Sequence, residues 1–134
     1  MTKVKNYMIV GFGCFFGGML RYFLENLWVK DKLNFPLGTF SADFLGCLIM
    51  GMAIGYFSMK SQASSKVKTF LTTGFCGGLT TFSSFALEVM KYLRQDALTL
   101  AAYYTILNLF FGIIAIFCGL RLTAMILKPK NVKE

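Results

Sequence analysis

The sequence contains no histidine. That absence excludes a His-ligated metal site and any Ser-His or Cys-His catalytic arrangement. Cysteine occurs four times, at Cys14, Cys47, Cys76 and Cys118, always inside an apolar block and never in a CxxC spacing. Buried free cysteine acting as a small hydrophobe fits that pattern, and nothing in it argues for a disulfide or a metal. With no nucleophile–base pair and no metal constellation, an enzyme is not expected. Acidic residues are scarce, six against fourteen Lys and Arg, which leaves a net charge of +8. Such a charge could serve nucleic acid, but most of the cations fall between or outside the apolar blocks, where membrane proteins keep them. Nucleic acid is therefore not expected as a partner. No internal repeat is visible.

What the chain has in excess is apolar sequence. Of its 134 residues, 56% are hydrophobic, and the mean hydropathy is +0.61. A soluble domain sits near about 45–50% apolar. The excess is gathered in four blocks, at about residues 7–29, 36–58, 69–90 and 97–120. A helix needs about 20 residues to cross a hydrocarbon core about 30 Å thick. Backbone left unpaired in lipid costs several kcal/mol per group, so the blocks predict helices. The expectation is a single all-α integral membrane domain with four transmembrane spans, surrounded by lipid. The first block is too long, and too well followed by others, to be a cleaved signal peptide. The joining segments are too short to hold a soluble domain.

Four spans place both termini on one side. That side would hold Lys3, Lys5, Lys60, Lys66, Lys68, Arg121, Lys128, Lys130 and Lys133, against Lys30, Lys32, Lys91 and Arg94 on the other. The bias predicts cytoplasmic termini and a cytoplasmic middle loop.

The third span carries the most information. It reads Thr72-Thr73-Gly74-Phe75-Cys76-Gly77-Gly78-Leu79-Thr80-Thr81-Phe82-Ser83-Ser84-Phe85. Gly77 and Gly78 loosen the backbone, and the hydroxyls after them can replace lost helical hydrogen bonds. A break in mid-membrane is tolerated where it is buried or lines a cavity, and its carbonyls and amides can then ligate an ion. A Gly-rich packing face is the alternative. Phe82 and Phe85, three apart, share a helical face. Aromatic rings have positive edges, so these rings with Ser83 and Ser84 beside them can coordinate a small dehydrated anion. Ordinary packing or lipid-facing Phe is the other reading.

Elsewhere, intramembrane charge marks candidates. Arg21 follows Gly17-Gly18 in the first span, where it either snorkels to an interface or lines a vestibule that attracts anions. Asp43 is the only charge in the second span, whose Gly38, Gly46, Gly51 and Gly55 suggest a close helix interface. Glu88 is an interfacial residue or a pore-mouth acceptor. Asn108 is helix–helix glue or pore lining.

Gly17-Gly18-Met19-Leu20-Arg21-Tyr22, Gly38-Thr39, and Thr73 through Phe85 with Glu88 resemble the Fluc (CrcB-type) fluoride channels, over nearly the whole chain. The resemblance implies an antiparallel dimer of inverted four-helix subunits with two fluoride pores at the interface. It implies a structural sodium ion at the dimer centre, held by backbone carbonyls of the broken third helix, here those of Gly77 and Thr80. Phe82 and Phe85 would be the pore rings, Ser83 and Ser84 part of a polar track, and Arg21 a vestibule residue. The implied role is passive export of cytoplasmic fluoride across a cell membrane, here expected to be a bacterial inner membrane.

One residue departs from the family pattern. Asp43 stands where the family typically has Asn. An amide can donate a hydrogen bond to fluoride and an ionised carboxylate cannot. Two like charges about 4 Å apart repel by about 4 kcal/mol at an effective dielectric of about 20, roughly a thousandfold in occupancy. Either Asp43 is protonated, or it pairs with a cation such as Arg21, or its pore is impaired. The unbalanced Lys/Arg bias is a second tension, because a subunit inserting in both orientations needs near balance. Both point to one half of a heterodimer, with a homodimer as the alternative. The rival functions are a small proton-coupled cation or drug antiporter, with Asp43 as its carboxylate, and a non-conducting partner subunit.

Overall fold

The structure is a computed structural model that describes residues 2–28, 35–60 and 62–127. Lys30, Lys32, Lys128, Lys130 and Lys133, which enter the charge count, lie outside the described residues. Helices dominate, and no strand occurs among the described residues. They are α1 (Thr2–Leu27), α2 (Leu37–Met59), α3 (Ser65–Thr69), a π-helical stretch (Phe70–Cys76), α4 (Gly77–Leu79), α5 (Phe82–Arg94) and α6 (Leu98–Leu127). Three helices among the described residues are long and apolar enough to cross a membrane by themselves: Lys3–Leu27, Leu37–Met59 and Leu98–Leu127. The third apolar block does not make a single helix. It is assembled from α3 through α5 around an interruption.

Glycines set how closely the helices approach. A side chain at Gly51 would collide with the Ile116 carbonyl, and one at Gly119 with the Leu48 carbonyl, so α2 and α6 meet backbone to backbone. Thr123 Oγ1 donates across that seam to the Met52 carbonyl at 3.0 Å. Small residues favour such close packing where lipid removes the hydrophobic drive between helices. On the other side, a Cβ on Gly17 would strike the Phe75 carbonyl, and one on Gly78 would strike the Cys14 carbonyl. Gly13 lies against Phe70 and Gly17 against Leu79, so α1 runs parallel to the third block; Cys47 lies against Gly112 and Gly55 against Thr123, so α2 runs parallel to α6. The approach of Gly38 to Glu25 makes α1 and α2 antiparallel. Helix α5 ends at Arg94, and two residues further on Asp96, with φ 56°, takes the left-handed conformation that short polar side chains tolerate.

The interruption falls at Thr80–Thr81 and not at the glycine pair. Gly77 is helical, with φ −65° and ψ −32°, and Gly78 lies within α4. Thr80 (φ −80°, ψ 152°) and Thr81 (φ −147°, ψ 119°) are extended. Gly78 instead lets the third block press against α1, and a Cβ on Gly77 would meet nothing within 4 Å.

Candidate ion-conduction site

The break is built by side chains that take the place of helical carbonyls. In a continuous helix each N–H bonds the carbonyl four residues back. The Thr81 N–H instead donates to Asp43 Oδ1 at 2.8 Å, reaching across to α2. The Ser84 N–H donates to Thr81 Oγ1 at 3.2 Å, so Thr81 is the N-cap of α5. The two amides diverted are those that a continuous helix would aim at the Gly77 and Thr80 carbonyls. Thr80 closes the other side, its Oγ1 donating to the Cys76 carbonyl at 2.9 Å.

Around the break lies a polar ladder on three helices. Asp43 Oδ2 accepts from Asn108 Nδ2 at 3.3 Å. Arg21 makes no hydrogen bond to Asp43 and acts on it only through its charge; the two carboxylate oxygens serve the Thr81 and Asn108 amides. One turn away, Glu88 Oε1 accepts from Thr39 Oγ1 at 2.6 Å and Oε2 from the Tyr104 hydroxyl at 2.5 Å. Hydrogen bonds this short are usual when the acceptor is a carboxylate. Thr39 and Asp43 are four apart on α2, and Tyr104 and Asn108 four apart on α6, so each pair shares a helical face.

The aromatic rings continue the ladder. The Phe82 and Phe85 centroids are 6.0 Å apart and tilted by 47°. Phe85 lies 5.4 Å from Tyr104, tilted by 42°. Tyr104 is fully buried, whereas Phe82 is 80% exposed. A cavity of about 330 Å³ opens beside the break, with Asp43, Thr80, Thr81, Phe82, Phe85 and Asn108 in its wall. A second, of about 310 Å³, is lined by Glu25, Thr39, Ser84, Glu88 and Lys91. Thr39 and Glu88, joined to Tyr104, line the second cavity, and Phe85, in the wall of the first, packs on Tyr104. A small anion in the first cavity would meet the Phe82 and Phe85 rings, the Thr80 and Thr81 side chains, the Asn108 amide and the Asp43 carboxylate, and no cationic side chain.

The residues singled out in the sequence separate into two groups. Asp43, Phe82, Phe85, Asn108 and Thr80 gather at the first cavity, and Ser84 and Glu88 at the second. Three stand apart. Ser83 is exposed and shares a 3.1 Å hydrogen bond with Thr81 Oγ1. Arg21 is half-buried on α1 and borders neither cavity. Gly77 is exposed. Thr81 and Tyr104 were not singled out by the sequence. Tyr104 could have been found from its place one turn before Asn108.

Fold and site together define an all-α, multi-pass membrane protein with an interrupted helix beside a polar, aromatic-walled cavity. A family model described as CrcB-like protein, Camphor Resistance (CrcB), matches residues 8–120. Relatives carry the name fluoride-specific ion channel FluC. That of Clostridium perfringens is 38% identical over 127 residues, which cover 94% of this chain and 99% of its own. Those of Methylobacillus flagellatus and Azobacteroides pseudotrichonymphae are 35% identical over 120 residues (88% and 94% of the two chains) and 36% over 121 (90% and 97%). The chain belongs to the CrcB family.

Proposed function

We propose that this protein is a fluoride-selective channel that passively releases cytoplasmic fluoride across a bacterial inner membrane. The observation that carries the reading is the Phe82–Phe85 pair at the mouth of a helix break, beside a ladder of hydroxyl, amide and carboxylate groups. The names of its relatives agree with it. Phe82 and Phe85 would offer ring edges to the ion. Ser83, Ser84 and Asn108 would supply hydrogen-bond donors, Arg21 would draw anions towards the vestibule, and Glu88 would order Thr39 and Tyr104 along the path.

The conducting unit is an antiparallel dimer, and a sodium ion at its centre would be held by the Gly77 and Thr80 carbonyls. The donor set fits: these are the two carbonyls whose helical amides are engaged by side chains. Bound there, sodium would supply a fixed positive charge joining the two broken helices. The Lys/Arg bias favours a heterodimer with a homologous subunit of opposite bias over a homodimer.

The test is fluoride efflux from liposomes, followed with a fluoride electrode. Protein co-expressed with an oppositely biased homologous subunit is expected to conduct fluoride and not chloride, and the chain alone to conduct weakly. Robust flux from the chain alone would sink the heterodimer. No fluoride flux from either preparation would sink the channel.

A further inference from the structure

We propose that Asp43 is the positioning residue of the helix break, acting through the backbone of Thr81 to hold the Gly77 carbonyl free for a cation. The inference rests on the sodium site proposed above. An amide without an acceptor is heavily penalised in a membrane interior. The Thr81 N–H thus has two outlets: the Gly77 carbonyl, which closes the helix, or an acceptor from a neighbouring element. Asp43 Oδ1 is that acceptor, at 2.8 Å. Its orientation is fixed from the other side by Asn108 Nδ2.

The backbone of α2 is shaped for this reach. One turn along the same face is Gly46, where a Cβ would collide with the Thr80 methyl group. The missing side chain allows α2 to lie close enough for Asp43 to touch Thr81. The cap needs an acceptor and no charge. An Asn at 43 would offer its amide oxygen to Thr81 and its NH₂ to the Asn108 oxygen after that amide turns over. The Asp in place of the usual Asn therefore preserves the break while adding negative charge to the cavity wall. Cap and charge become separable.

Purified protein is titrated with sodium against N-methylglucamine, and thermal unfolding and fluoride flux are both recorded. Asp43→Asn keeps the parent's sodium midpoint and raises flux. Asp43→Ala and Asp43→Leu raise the midpoint by about 10- to 100-fold, the loss typical when a group orienting a metal ligand is removed. Gly46→Ala keeps every polar group and shifts the midpoint in the same direction by less. An unchanged midpoint in Asp43→Ala overturns the proposal. If the parent itself does not respond to sodium, the sodium site fails, and amide hydrogen exchange then decides the role of Asp43. Thr81 must exchange faster in Asp43→Ala and at the parent rate in Asp43→Asn; equal rates in all three overturn it.

Discussion

Glu88 shows how one side chain can join three helices. It sits on α5 and receives Thr39 from α2 and Tyr104 from α6. Removing a donor from a partly buried carboxylate leaves an oxygen without a partner, at a cost of about 1–3 kcal/mol. Tyr104→Phe keeps the ring that packs on Phe85 and removes only the hydroxyl, so it is expected to destabilise the protein by that amount in denaturant unfolding in mixed micelles. In a Glu88→Gln background the same change should cost less, because the charged acceptor is gone. Equal costs in both backgrounds would mean that the Tyr104 hydroxyl does not act through Glu88. The sequence pointed to Glu88 because a carboxylate in an apolar block stands out. Tyr104 did not stand out by residue type, because an aromatic ring in an apolar block is ordinary; only its place one turn before Asn108 marked it.

At the scale of elements, the helices follow from the long apolar blocks, and the broken third span from its run of glycine and threonine. The position of the break was not legible. Gly77 and Gly78 suggest an opening there, yet a helical glycine costs only about 1 kcal/mol. The chain opens instead where Asp43, 38 residues away, caps the Thr81 amide. A contact so distant in sequence leaves no local pattern, and nothing in the spacing foretold the π-helical turn before it. The glycines act through close approach, which gives a test. A Cβ on Gly17 collides with the Phe75 carbonyl, while one on Gly18 meets nothing within 4 Å. Backbone cannot swing aside as a side chain can, and overpacking of this kind costs typically about 1–3 kcal/mol. Gly17→Ala should lower the unfolding temperature and the monodisperse yield, and Gly18→Ala should leave both near parent values. Equal behaviour of the two would show that α1 and the third block do not touch as described.

Two features of the whole molecule bear on the proposed dimer. Phe82 is 80% exposed beside the cavity it lines, and the space off Gly77 is open. In lipid these groups would face hydrocarbon; in the proposed dimer they would face the partner. The charge pattern gives this subunit one orientation, so an antiparallel partner would need the opposite bias. Lys91 and Arg94 lie near the end of α5, and Lys3, Lys5, Lys60, Lys66 and Lys68 lie at the opposite end of an up-and-down set of helices. Gly77→Trp separates the two cases. Gly77 is exposed and a Cβ there meets nothing within 4 Å, and replacing a helical glycine does not weaken the helix, so the variant should fold and keep its helical circular dichroism. If a partner covers Gly77, light scattering should report a monomer mass, and fluoride flux should vanish. Leu98→Trp, at a 69% exposed position at the start of α6, should keep both dimer mass and flux. A Gly77→Trp protein that stays dimeric and conducts like the parent would place Gly77 towards lipid, and the central cation site would fall with it.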